Sequence, residues 1–371
     1  MARQAPPSGQ GPKRRHSAMN SSQLLRALLG RIRRVLTMGR ASEWWEYKLL
    51  PAIGIGYAVS LALGASPWAG LSGLGWAIVS LVPGAVFVSL LNDLTDLADD
   101  AAAGKANRQA GRNPIFAIAL IALCLAAGLV LAWTWRDDPL LVASYALGWT
   151  AYTLYSLPPF RFKHRGFAGV LCDAIGANVV PALLCAQLSA HALDQQLPAA
   201  MAGIIAIWSL MFGLRGILWH QIGDLAADRM AGAQTFVARH GADRAARIAS
   251  RIVFPIEMLS LAAIAVMAGP LVQVAGAVAA VLYAGLLHER IYRFEMRVVV
   301  VVPRERSCIA LHEYYDVFLP LALLVVGLFR DPAVLAVLGL HLILFPVRIR
   351  QIASDVRKMF DPRYIRRPYR S

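Results

Sequence analysis

Apolar runs of near-membrane length recur along most of this 371-residue chain. Only helices or closed barrels can carry such runs through hydrocarbon, because every backbone polar group there must be bonded internally. A barrel strand alternates with a period of two, whereas these are solid apolar blocks. The expected fold is therefore an all-α polytopic transmembrane bundle. Composition excludes the soluble alternatives: at 58% hydrophobic and 16% charged residues, the chain is too apolar for a dinucleotide-binding enzyme, a β-sandwich or a disordered scaffold.

Apolar segments fall at 46–65, 74–91, 114–134, 139–156, 167–189, 199–219, 250–268, 270–288, 316–330 and 332–347. The last two are short for a bilayer core of about 30 Å, so nine or ten spans are expected. With the amino terminus in the cytoplasm, the loops placed outside hold only Arg136 and Arg330 of the 37 Lys and Arg residues. That asymmetry sets the orientation, and ten spans return the basic carboxyl terminus to the same side. The expected location is a bacterial inner membrane with both termini cytoplasmic, an organelle membrane being the alternative.

The net charge of +15 is concentrated at the ends of the chain. Residues 1–20 read as a disordered basic tail. Residues 21–42 read as an amphipathic interfacial helix, with Leu24, Leu25, Leu28, Leu29, Ile32, Val35 and Leu36 at helical spacing among arginines. The transmembrane domain is expected over 43–347 and a basic cytoplasmic tail over 348–371. No aromatic-interleaved platform accompanies the charge, so the partner it implies is an anionic lipid leaflet and not nucleic acid. The four cysteines have no CxxC spacing, which predicts neither disulfide nor zinc site.

Three polar segments interrupt the apolar pattern, each at a cytoplasmic span end. Residues 92–100 read NDLTDLADD. On a helix Asp93, Asp96 and Asp100 share a face with Asn92 beside them, and carboxylates so placed repel one another unless a cation compensates. Hard oxygen ligands suit Mg²⁺ completed by water and phosphate oxygens. Residues 219–235 read WHQIGDLAADRMAGAQT, placing Asp224 and Asp228 one turn apart with His220 and Gln221 just before them. Two facing clusters, each holding Mg²⁺, would clamp a diphosphate and neutralise it as a leaving group. Between them, residues 155–166 read YSLPPFRFKHRG. The prolines break the helix, and Arg161, Lys163 and Arg165 recur at alternate positions, pointing one way if the segment is extended. Such cations suit diphosphate oxygens.

These segments resemble the UbiA superfamily of intramembrane prenyltransferases. The first is similar to its NDxxDxxxD motif, the second to its DxxxD motif with trailing Gly232 and Thr235, and the third to its YSxPPxRxKxRG loop; the likeness covers about residues 43–290. The resemblance implies a helical bundle around a central cavity open to the cytoplasmic face, Mg²⁺, a prenyl diphosphate donor and an aromatic or lipid acceptor. It implies that Asp93, Asp96 and Asp100 hold one metal and Asp224 and Asp228 the other, with Asn92 orienting the first cluster. Tyr155, Arg161, Lys163, Arg165, His220 and Gln221 would contact substrate. The chain departs from the family after the first motif, where GKANR (104–108) replaces an RPL-like segment; Lys105 and Arg108 are expected to supply the phosphate contacts there. Asp99 is extra to the motif. Asp173, Asn178, Arg215 and Glu257 are costly in lipid and should face the cavity or one another, and Arg215 is a candidate for the substrate pocket. The rival readings are a membrane terpene cyclase, a phosphoribosyl transferase acting on polyprenyl phosphate, and a lipid-binding or transport protein without chemistry.

Overall fold

A computed structural model describes residues 37, 39–102 and 104–361 of the chain. The basic tail and nearly all of the interfacial helix expected over 21–42 lie outside the described residues. Helices α1 (Ala41–Ala62), α2 (Leu71–Thr95), α3 (Leu97–Ala102), α4 (Ile115–Thr134) and α5 (Pro139–Ser156) come first. They are followed by α6 (Phe167–His191), α7 (Ala199–Gly223), α8 (Leu225–Met230), α9 (Phe236–His240), α10 (Ala242–Ala268) and α11 (Pro270–Phe294). A short parallel pair, β1 (Arg297–Val299) and β2 (Ser307–Ile309), aligns Arg297 with Ser307. Helices α12 (Tyr314–Leu328), α13 (Val334–Leu344) and α14 (Pro346–Met359) complete the fold.

Six of these helices, α2, α4, α6, α7, α10 and α11, are long and apolar enough to cross a membrane. The α13–α14 pair, bent by 84°, would add a seventh if it is one span. The sequence reads α1, α5 and α12 as spans too, but α1 carries Glu43, Glu46 and Lys48 and α12 is short. About half of the most apolar stretch of α2, α6 and α7 is buried (56%, 56% and 50%), against 22% for α4 and 28% for α10 and α11. Of these six the first three are therefore the inner ones, alongside α1, whose residues 49–61 are all buried, and the others turn residues such as Leu129, Leu259 and Val281 outward.

Three helices, α6, α10 and α12, contain a π-turn, at Ile175–Val179, Ala249–Val253 and Tyr314–Phe318. Each ends two residues before a proline: Pro181, Pro255 and Pro320. Proline donates no hydrogen bond and its ring crowds the carbonyl of the preceding turn, so the widened turn absorbs the misfit without ending the helix. Close approach of inner helices has its own requirement at Gly73, where an added Cβ would lie 2.0 Å from the Leu188 carbonyl oxygen. Only glycine lets α2 lie this close to α6.

The bend before α14 is held from a distance. The buried Glu46 carboxylate of α1 accepts hydrogen bonds from the backbone N–H groups of Val347 (2.8 Å) and Arg348 (2.7 Å), the open donors of the first turn of α14. Arg348 then pairs with Asp316 of α12 at 2.8 Å. Residues after 347, expected as a basic tail, thus begin as a helix anchored to both α1 and α12.

Candidate active site

Both acidic segments straddle a one-residue interruption between a long helix and a short one. Asp96 separates α2 from α3 and Asp224 separates α7 from α8. The turn-to-turn bonds continue through each break, from Asp100 N–H to the Asp96 carbonyl (2.8 Å) and from Asp228 N–H to the Asp224 carbonyl (2.9 Å). The carboxylates nonetheless end in different surroundings. Asp93 is fully buried and pairs with Arg40, its Oδ2 left without a partner. Asp96 meets Lys163 and Arg161, the latter at 3.0 Å. Asp100 accepts from Asn107 Nδ2 at 2.7 Å, and the same amide holds the Asp93 carbonyl at 2.8 Å. Among the described residues, the group of three ligand-type side chains whose donor atoms converge within 4.8 Å is Asp96, Asp99 and His164. Asp99, extra to the family motif, is therefore part of the cluster.

The proline-containing loop folds over these carboxylates, but not as an extended strand. Helix α5 ends at Ser156, and Phe162–His164 form a 3₁₀ turn that follows Arg161 in the left-handed region (φ 41°). The turn sends Arg161 to Asp96, Asp99 (2.9 Å) and the Thr95 carbonyl (2.7 Å), and sends Lys163 to Asp96 and the Asn92 amide oxygen (3.1 Å). Arg165 instead points outward, donating to the Pro159 carbonyl at 2.6 Å with its guanidinium over the Phe162 ring. Alternate spacing predicted a common direction for all three; the tight turn breaks that periodicity. Burial lowers the pKa of Lys163 despite the adjacent Asp96. His164, 3.2 Å from Asp99, is likewise pushed down, first by burial and then by Arg161 and Lys163.

The two acidic segments belong to one site. Lys105 reaches from the end of the first to Asp224 of the second at 3.4 Å. The Gly166 N–H donates to the Gln234 carbonyl at 3.0 Å, and Gly166 and Thr235 form a parallel bridge that ties the proline loop to the turn after α8. Gly166 has φ 58°, which a side chain would strain. Thr235 in turn donates to Asp228 at 3.0 Å. Asp228 has its pKa raised by burial, partly offset by the Thr235 hydroxyl and Lys105. Tyr155 lies within electrostatic reach of Asp96, Asp173 and Asp228.

Other expected site residues are engaged differently. Arg108 pairs with Glu43, and Gln221 is buried, its amide oxygen accepting the Val237 N–H at 3.2 Å. Arg215 is fully buried in a two-point contact with Glu257 (2.7 and 2.6 Å) and donates to the Ala310 carbonyl at 2.8 Å. It clamps α7 to α10 and to the segment after β2, one of the mutual pairings expected of polar groups in lipid. His220 is exposed on the wall of a cavity of about 1070 Å³ that also receives Asn178 and Glu43. Sequence reasoning missed Arg40, Asn107 and His164. Arg40 is one of several arginines in residues 21–42, Asn107 lies in the segment that departs from the family pattern, and His164 falls between the consensus positions of the proline loop.

Residues 50–300 match the UbiA prenyltransferase family. No curated protein matches the chain. Among solved structures, a UbiA homolog from Archaeoglobus fulgidus bound to DMAPP and Mg²⁺ is similar with a TM-score of 0.56 at 18% identity, covering 82% of this chain and 99% of that one. The same organism's homolog bound to GPP and Mg²⁺ gives a TM-score of 0.52 at 16% identity, covering 80% and 98%. A form bound to Cd²⁺ gives 0.52 at 18% identity, covering 79% and 97%. At these identities the likeness is one of fold.

Proposed function

Since this chain belongs to the UbiA prenyltransferase family, we propose that it moves an isoprenyl group from a prenyl diphosphate to an aromatic or lipid acceptor within the membrane. The observation that carries this reading is the convergence of both acidic segments and the proline loop, tied by Lys105 to Asp224 and by Gly166 to Thr235. The similar A. fulgidus homologs hold DMAPP or GPP with Mg²⁺, and the donor set here fits that ion. It consists of carboxylate oxygens, hard ligands, one of which, Asp93 Oδ2, is buried without a partner. Asp93, Asp96 and Asp100 would hold one Mg²⁺, and Asp224 and Asp228 the other. When bound, the ions supply charge neutralisation of a departing diphosphate.

The chain's own cations do the rest of the holding. Lys163 and Arg161 already bridge the acidic residues of the first segment, and Lys105 stands between the segments. Each can turn hydrogen-bond donors to diphosphate oxygens, a charge-assisted contact stronger than a neutral one. Tyr155, whose electrostatic surroundings include Asp96 and Asp228, would add a hydroxyl donor. The C–O bond of the donor breaks and diphosphate departs, and an acceptor atom bonds to the allylic carbon. The proton the acceptor gives up passes to the diphosphate, and the apolar helix walls keep water from the allylic carbon. The catalytic unit spans about residues 43–347, with Arg40 reaching in from the preceding segment. The basic-residue asymmetry supports a bacterial inner membrane with both termini cytoplasmic.

Replacing Asp93 or Asp224 with Asn keeps size and removes a charged ligand. Mg²⁺-dependent consumption of a radiolabelled prenyl diphosphate should fall by orders of magnitude while the protein still inserts. Activity within about threefold of wild type, less than about 1 kcal/mol on the barrier, would sink the two-segment mechanism. For orientation, cysteine placed near Ser66, at the exposed Ala69, or near Gln195 should label from outside, and near Ala102 or Ala231 only after permeabilisation; outside labelling at Ala102 overturns it.

A further inference from the structure

The cavity beside the acidic segments has a wall that lies beyond the matched residues 50–300. One side is formed by α1 and α7, through Glu43, Lys48 and Trp219. The opposite side is formed by Cys308 of β2, His312 and the first three turns of α14. This wall is fixed in place. Glu46 caps α14, Arg348 pairs with Asp316, and Arg290 of α11 joins Asp355 of α14 at 2.8 Å. The cavity also adjoins the reaction centre. His220 lies one turn before Asp224, and Glu43 pairs with both Arg40 (3.5 Å) and Arg108.

The charges on the lining do not balance. Arg290, Arg348 and Lys358 each have a carboxylate partner. Lys48 and Arg350 have none among the described residues, the Lys48 ammonium meeting only the Asn178 amide oxygen at 3.4 Å. The residues outside the described set contain no Asp or Glu, so no acidic side chain of the chain is left to neutralise them. Arg350 is exposed, but Lys48 is half-buried, where an uncompensated ammonium is costly. Trp219 offers a flat face nearby.

We propose that this cavity receives the acceptor by an anionic head, a carboxylate or a phosphate, with Lys48 and Arg350 as its contacts. The carboxyl-terminal helix thereby selects which acceptors reach the allylic carbon. The word acceptor rests on the prenyl-transfer reading; the anion site does not.

Cys308 supplies a reporter, since it lines the cavity as a free, half-buried thiol. Burial raises its pKa, so alkylation by iodoacetamide is followed at about pH 8.5. Full-length protein in detergent, without Mg²⁺ or donor, is treated with benzoate, phenyl phosphate or uncharged phenol, and Cys308 modification is read by peptide mass spectrometry. The probes are used at about 10 mM, above the roughly millimolar Kd expected of a small fragment. One or both anions should slow alkylation several-fold, phenol should not, and the better anion identifies the head group. Lys48→Gln with Arg350→Gln should abolish that protection while alkylation without ligand keeps the wild-type rate, and Lys48→Arg should restore it. If Lys48→Gln alters the unliganded rate, Arg350→Gln alone, on an exposed position, must weaken protection. No protection by either anion, equal protection by phenol, or full protection in the variants would each overturn the proposal. Failure of donor consumption in the separate Mg²⁺ assay would sink the prenyl reading without touching this result.

Discussion

The sequence leaves Arg215 two roles, a substrate contact or a partner for another buried polar group, and a single substitution separates them. As a substrate contact it would be spared from any part in folding. In the structure it and Glu257 are both fully buried and joined through two hydrogen bonds of 2.7 and 2.6 Å. The guanidinium also donates to the Ala310 carbonyl at 2.8 Å, and Tyr315 donates to Glu257 at 2.9 Å. Arg215→Met leaves a buried carboxylate with only the tyrosine, and breaking such a pair costs about 3–5 kcal/mol. Against a typical total of about 5–15 kcal/mol, that is a large share of the fold. Removing both charges with Arg215→Met and Glu257→Met takes away the uncompensated ion. It leaves the Ala310 carbonyl and the Tyr315 hydroxyl short of partners, about 1–3 kcal/mol for each polar group left unsatisfied. The double variant should therefore be less destabilised than the sum of the single variants. The assay is denaturant unfolding in detergent micelles, run as a double-mutant cycle with donor turnover measured on the folded fraction. Arg215→Met within about 1 kcal/mol of wild type but with turnover greatly reduced would refute the clamp and restore the substrate role.

Gly73→Ala should sharply reduce the yield of monodisperse protein, because the new methyl would lie 2.0 Å from a backbone oxygen that cannot rotate away. Overpacking costs about 1–3 kcal/mol and more where backbone must move; wild-type thermal stability of the variant would mean that α2 and α6 do not approach this closely. Arg40→Gln removes the cation that holds Asp93, so less Mg²⁺ should be needed for half-maximal donor turnover. A higher requirement would show that Arg40 helps to build the metal site instead of competing with the ion for Asp93.

Much of the site was legible because its signals are local. The cost of placing Asp in lipid restricts acidic runs to span ends, and helical spacing groups Asp224 with Asp228 wherever the helix goes. Prolines at 158 and 159 end α5 at Ser156, the expected place, for reasons contained in the proline ring. The same locality explains the failures. The expectation that Arg161, Lys163 and Arg165 point together assumed an extended chain, and the 3₁₀ turn that replaced it depends on carboxylates more than sixty residues away.

What the sequence determined by itself is what a short stretch of chain fixes through transfer free energy and periodicity: an all-helical membrane bundle and polar segments at its span ends. Tertiary structure alone decided which charges meet. Arg40 finds Asp93 across 53 residues, Arg215 finds Glu257 across 42, and Glu46 caps a helix some 300 residues later. The reason is that a charge taken out of water is stabilised by whichever opposite charge or dipole the packing brings within a few ångströms, and that distance in space is not encoded in distance along the chain.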